Sequence, residues 1–241
     1  MSDETGHLPD RPGGDAESPL ESAARQLRAS PAPAGASPAR EREVLRRRQE
    51  RDLLAWAREQ GRLINPASYL SLAERGGEEH RLWLAGDGQR YFKATFAGKF
   101  GFTVFLTTAG FPEMAYAMPL EYLDRLGLQN GVLGDQIRLE GIAREAGGTV
   151  IVTSQPHVAG SEAVKEEILS FMSSLWFRPL RGLHLGRPGS LAFYRDLDEV
   201  AAFDAHPANF VKDSDGVVLP IDLILLRADE SLQGALSRYL G

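Results

Sequence analysis

Three residues toward the C-terminal end have types and spacing suited to phosphate chemistry. Asp204 and Asn209 stand in FDAHPANF (203–210), and Asp222 stands in LPIDLILL (219–226). Asp204 closes the apolar run VAAF, Asn209 follows five residues later, and Asp222 thirteen residues after that. Val217, Val218, Leu219 and Ile221 precede Asp222 and Leu223, Ile224, Leu225 and Leu226 follow it, so it is predicted to be buried in an apolar strand. A buried carboxylate is costly unless it is paired or holds a metal. Carboxylate and amide oxygens are hard ligands that suit Mg²⁺ carrying substrate phosphates. Asp204 or Asn209 alone reads most simply as a turn cap. The three in register favour a site.

A kinase-like site of this kind needs a strand lysine upstream for the α- and β-phosphates. Lys93 in RYFKATF fits, since it sits mid-strand between aromatic residues. A glutamate on the next helix should orient it. Glu121 in PLEYLDRL is the best candidate, with Glu113 and Glu140 weaker. A glycine-containing turn should cover the phosphates, and upstream only Gly76-Gly77 in ERGGEEH offers one. That is no G-x-G-x-x-G, and by itself it reads as an ordinary turn. The histidines at 7, 80, 157, 184 and 206 show no metal-ligand spacing, which argues against a metallohydrolase, and His80 reads as a loop residue.

The elements that must position these residues follow from periodicity. Residues 1–40 hold six of the 14 prolines and no aromatic residue, so this segment is predicted to be a disordered tail. REREVLRRRQERDLLAWAREQG predicts a helix over 41–61, with Val44, Leu45, Leu53, Leu54, Trp56 and Ala57 at helical spacing and Gly61 as its end. Its Arg46-Arg47-Arg48 run reads as a solvated face because glutamates are interleaved. HRLWLA–GDGQ–RYFKATF and IRLEGIARE–AGG–TVIVTSQP read as hairpins on either side of the short helix PLEYLDRLG. SEAVKEEILSFMSSL reads as a helix capped by Ser161, LAFYRD and VAAFDA as strands, NFVKD–SDG–VVLPIDLILL as a last hairpin, and SLQGALSRYL as a closing helix. Strands, helix, strands, helix, strands, helix is an α+β order rather than alternating βαβ units.

Composition narrows the class. The chain has 241 residues, 43% hydrophobic and 25% charged, with a net charge of −6, and bulk charge therefore argues against a nucleic-acid binder. It has no cysteine, which excludes disulfides, thiolate catalysis and zinc–cysteine sites. MSDETGHLPD is acidic and polar, unlike a signal peptide, and no apolar run approaches a membrane span. The expectation is a cytoplasmic protein with no membrane partner.

The Asp-x₄-Asn spacing followed by a strand Asp matches the catalytic-loop and metal-Asp pattern of protein kinases. From about Leu54 to Leu226 the chain resembles the Ser/Thr/Tyr kinase-like domain of polyvalent proteins of bacteria, phages and mobile elements. The stretches that carry this are LLAWAREQGRLI, ERGGEEHRLWL, YFKAT, PLEYLDRLGLQNGVLGD, VTSQPHVAG and FDAHPANFVKDSDGVVLPIDLIL. The last also resembles the D-x-H-P-x-N segment of aminoglycoside-phosphotransferase-like kinases. The resemblance implies a minimal two-lobed kinase-like fold with ATP between the lobes: a β-rich N-lobe over 62–156 and a short C-lobe over 157–241. It implies that Lys93 binds phosphates beside the Gly76-Gly77 turn and Glu121, that Asp204 is the catalytic base, and that Asn209 and Asp222 hold Mg²⁺. VTSQP becomes the hinge facing adenine, with Gln155 at its centre, and His206 braces the catalytic loop. Phe203 stands where protein kinases have Arg, Asp222 is followed by Leu-Ile rather than Phe-Gly, and only 19 residues follow it. These departures predict a truncated C-lobe with no peptide-docking platform. The acceptor, a protein or small-molecule hydroxyl, stays open. So do a non-catalytic nucleotide-binding module and a nucleotidyl (AMP) transferase.

Overall fold

The computed structural model of the chain describes residues 17–29 and 38–240. Along it run α1 (Pro19–Arg28), α2 (Pro38–Glu59), β1 (Leu63–Ile64), α3 (Ala67–Leu70), β2 (Glu74–Gly76), β3 (His80–Leu84), β4 (Arg90–Thr95), β5 (Phe102–Leu106), β6 (Pro112–Tyr116) and α4 (Pro119–Leu128). A π turn at Gln129–Leu133 leads to β7 (Arg138–Glu145), β8 (Gly148–Pro156), β9 (Ser161–Glu162), α5 (Lys165–Ser174) and β10 (Arg178–Pro179). Then come β11 (Leu191–Arg195), β12 (Val200–Ala205), β13 (Phe210–Lys212), β14 (Val218–Pro220), β15 (Ile224–Arg227) and α6 (Glu230–Leu236). The class is α+β, as predicted. No helix among the described residues is long and apolar enough to cross a membrane.

The largest sheet has the order β1-β7-β8-β4-β3-β2, with β1 parallel to β7 and the other pairs antiparallel. Its central strands are buried on both faces, which is why TVIV reads as a continuous apolar run. On one face Leu139, Ile142 and Ile151 pack under α1, α2 and α4. On the other, Tyr69, Trp83 and Phe92 stack in series beside Val150 and Val152. A second core forms where β5, β11, β12, β15 and α6 meet, and a third where α5 packs on β12 and β13.

Four expectations change. Residues 19–28 are not a disordered tail. Ser18 and Glu21 form a reciprocal capping box, and the helix PLESAARQLR buries Leu20, Ala23, Ala24 and Leu27. Five of the six prolines of 1–40 flank this helix in sequence and Pro19 opens it, so averaged composition hid it. The tail's other residues, 1–16 and 30–37, lie outside the described residues, and α2 opens at Pro38 and ends at Glu59. Residues 102–116, where no element was expected, form the hairpin β5–β6. Ser161 pairs with Lys212 in a ladder instead of capping α5. Finally, VVLPIDLILL is not one strand. β14 pairs with β13 and stops at Pro220, whereas β15 joins β12 in another sheet, so Asp222 lies in the bend between two sheets. A proline at a strand end is consistent with that break, since it brings no N–H to a ladder.

Candidate functional site

That bend places Asp222 at the wall of a cleft between the largest sheet and the small sheet β14-β13-β9. The cleft comprises two adjoining cavities, of about 420 Å³ and 260 Å³, which share Gly77, Arg187, Asn209 and Asp222 as lining. The larger adds Leu82, Tyr91, Lys93, Gln155, Val211 and Ile221, an apolar slot with a lysine at its inner end. The smaller adds Glu79, Phe102, Met114, Asp204 and His206.

Lys93 comes from the middle of β4, paired with Leu82 on one side and Thr153 on the other. Its Nζ donates to the Ile221 carbonyl at 2.8 Å and lies 3.8 Å from Asp222 Oδ2. Gln155 Nε2 donates to the same carbonyl at 3.3 Å. The sheet therefore grips the chain one residue before Asp222.

Asp222 is half-buried, with 29% of its side chain exposed, so it is reachable from the cleft. Its Oδ1 accepts from Arg125 Nη2 at 2.6 Å. Burial alone would raise its pKa, but Lys93 and Arg125 outweigh burial and hold the carboxyl well below the usual range. Arg125 comes from α4, fully buried, and also donates to Glu79 Oε2 at 2.7 Å and to the Leu223 carbonyl at 2.8 Å. Glu79 is pushed up by burial, which Arg125 opposes and Asp222 reinforces. His80 is not a loop residue. It opens β3, is buried, and its Nε2 lies 2.8 Å from Tyr122 Oη. Burial, with Asp222 opposing, brings its pKa down to about 3, so it is neutral at pH 7.

Asp204, the last residue but one of β12, has a left-handed backbone, φ +56°, a strained conformation that Asp tolerates better than most residues. Its Oδ1 accepts from the Arg187 amide and Ser190 Oγ, both at 2.9 Å. Asn209 Nδ2 donates to the Asp204 carbonyl at 2.8 Å and to Oδ2 at 3.2 Å. The amide nitrogen is thereby committed, and Oδ1 is the atom left to offer a cation. Gly186 is required here, because a Cβ would stand 1.9 Å from Asp204 Oδ1. The buried His206 accepts the Asn209 amide on its carbonyl at 2.9 Å, while its ring stays 3.8 Å from Asp204. Burial lowers its pKa, with Asp204 opposing.

The structure thus brings Lys93, Gln155, Asp204, His206, Asn209 and Asp222 to one cleft, with Gly77 at its turn. Gly76 pairs with His80 at the end of β2. Glu121 is not beside Lys93. It sits at the N-terminus of α4, accepts from the Met118 amide, and takes both guanidinium nitrogens of Arg42 at 2.8 and 2.7 Å. Glu113 pairs across the hairpin with Phe105, and Glu140 accepts from Ser154 Oγ, so neither replaces it. What α4 sends toward the cleft is Arg125. The sequence carried a signal for this, a charged residue on the apolar face of the helix, three residues after the buried Tyr122. Asp135 also went unnoticed. Its Oδ2 is buried without a hydrogen-bond partner among the described residues, and burial, opposed by Lys93, raises its pKa to about 7.

Among the described residues no three His, Asp or Glu side chains gather to hold a metal. No protein-family model matches the chain, and no curated protein matches it.

Proposed function

We propose that the chain is an ATP- and Mg²⁺-dependent phosphotransferase of minimal two-lobed kinase-like fold, acting on a hydroxyl of a protein or small molecule. The observation that carries this reading is the convergence of Lys93, Asp222, Asn209 and Asp204, from three separate segments, on one cleft with an apolar slot at its other end. The sequence resemblance described above rests on the same residues and points the same way. Leu82, Tyr91, Val211 and Ile221 offer flat apolar surface for a base.

The donor set fits Mg²⁺ carried by phosphates rather than a dedicated metal cage. Asp222 is ionised, among the described residues its Oδ2 has no partner closer than 3.8 Å, and Asn209 can offer Oδ1. Bound there, the ion would neutralise phosphate charge. Lys93 would exchange its carbonyl contact for phosphate oxygens. The acceptor hydroxyl would meet Asp204. In the transfer, the bond from the terminal phosphorus to the bridging oxygen breaks and its electron pair stays on ADP. The acceptor oxygen bonds to phosphorus, and its proton passes to the Asp204 carboxylate and on to solvent.

The test is isotope transfer with the full chain, Mg²⁺ and a lysate as acceptor source. Label moving from the γ-phosphate to an acceptor is expected. Label moving from the α-phosphate would replace this reading with nucleotidyl transfer. Nucleotide binding with neither label moving would replace it with a non-catalytic module, a role for which the Arg125 grip on Asp222 is the favouring observation.

A further inference from the structure

Resting on the phosphotransferase reading, we propose that Arg187 supplies the positive charge that meets the terminal phosphate at the Asp204 end of the cleft. Its position is fixed from two sides. The Arg187 amide donates to Asp204 Oδ1 at 2.9 Å, and Gly186, without a side chain, lets the loop lie directly on that carboxylate. From there the side chain reaches across the cleft. Nη2 stands 3.8 Å from where a Cβ on Gly77 would be, so the guanidinium spans from the Asp204 loop to the glycine turn. Arg187 lines both cavities, as do Gly77, Asn209 and Asp222.

The charges around the cleft leave this role to Arg187. Lys93 lies at the inner end, held by the Ile221 carbonyl. Arg125 is buried and committed to Glu79 and Asp222. His206 is buried, which favours its neutral ring. Arg187 is exposed and, among the described residues, forms no ion pair within 4.0 Å. A terminal phosphate brought between Asp204 and Asp222 carries several negative charges of its own. A planar, always-charged donor group at that point would offset the repulsion and stabilise the charge spread over the oxygens in transfer. A lysine would supply the charge without the fork.

Substitution at Arg187 leaves its backbone N–H, and hence the Asp204 contact, in place, and the exposed side chain packs no core. Arg187→Gln and Arg187→Lys are therefore compared with wild type as full chains with Mg²⁺. Calorimetry gives affinities for ADP and for β,γ-imido-ATP, and single-turnover label transfer gives the rate. Arg187→Gln is expected to lose about tenfold of its preference for the triphosphate analogue over ADP, with ADP affinity held within about twofold. Its transfer rate should fall by about 10²–10³-fold, and Arg187→Lys should recover part of both. An unchanged ADP-to-analogue ratio and rate in a wild-type-like melting variant would overturn the assignment while leaving the phosphotransferase reading intact. Equal losses for ADP and the analogue would also overturn it. Wild-type chain that binds neither nucleotide would remove both.

Discussion

Arg125 Nη2 lies 2.6 Å from Asp222 Oδ1, and Nη1 of the same guanidinium lies 2.7 Å from Glu79 Oε2. One buried cation thus ties the helix α4 to the chain before β3 and to the bend after β14. Its pKa is lowered by burial but raised further by Glu79 and Asp222, so it stays charged. Pairing of this kind changes what an apolar stretch with one acid means. Asp222 is not an isolated carboxylate waiting for a metal.

Removing the cation should therefore be costly. Arg125→Met keeps much of the stem but leaves Glu79 buried and unpaired. The expected loss is about 3–5 kcal/mol, read from urea unfolding. Adding Glu79→Gln to that variant should recover part of it, since the stranded charge is gone. A loss under about 1 kcal/mol for Arg125→Met would show that the triad is solvated.

The helix α1 gives a second, independent expectation. Leu27 is fully buried against α4, and Arg28 pairs with Asp124 of that helix. Leu27→Ala should cost about 2–5 kcal/mol by the usual transfer and cavity terms. Melting unchanged from wild type would mean that α1 does not pack in solution.

Much of this fold was legible where local signals agree. The hairpins β3–β4 and β7–β8 have alternating or apolar runs separated by glycine turns, and α4 has Pro119 at its start. The failures have two causes: long-range partners that decide a strand's sheet, and composition averaging that hides a short local signal. VVLPIDLILL is uniformly apolar, so nothing local says that β15 leaves β14 to pair with β12. PLESAARQLR carries its own capping signal, S-x-x-E, but it stands among prolines that dominate any composition window. The site divides the same way. Lys93, Asp204, Asn209 and Asp222 are recognisable by residue type and spacing. Glu121 was chosen by its place on the helix, yet at the first turn it faces α2 and Arg42. Asp135 follows a π turn that no pattern in QNGVLG announces.

Asp135 makes the pH dependence of stability testable. Burial raises its pKa to about 7 in the folded chain, against 3.8 for an ordinary aspartate. The native state then binds that proton more tightly than the unfolded state. Stability from this group is full below pH 4, falls as pH rises toward 7, and is flat above. Asp135→Asn removes the charge that must be buried at high pH. It should be more stable than wild type at pH 8 by on the order of 2–4 kcal/mol, and the slope between pH 4 and 7 should flatten. Parallel pH profiles for the two chains would show that Asp135 is solvated or paired.

The roles proposed around the cleft should separate under substitution. Asp222→Asn keeps the shape but loses the charge offered to Mg²⁺, so metal-dependent nucleotide binding should fall. It should not stabilise the metal-free chain, because Arg125 loses an ionic partner. Its acid limb should shift as well. The folded pKa of Asp222 lies below its unfolded value, so the carboxylate contributes stability above the unfolded value that is lost as pH falls toward the folded one, and the Asn variant lacks this contribution. Lys93→Met should weaken nucleotide affinity while the chain stays folded, since Met keeps most of the apolar stem. Asp204→Asn acts at a different step. Asn can still accept from the Arg187 amide and Ser190, so the loop should hold and Mg²⁺–ATP should bind normally. Transfer should slow by about 10²–10⁴-fold if the carboxylate takes the acceptor proton. Nucleotide calorimetry beside single-turnover label transfer checks all three variants. The reading survives only if Asp222→Asn fails at binding and Asp204→Asn fails at transfer. Asp222→Asn that binds Mg²⁺–ATP as wild type does would reduce the cleft to a turn, a bend and a structural ion pair.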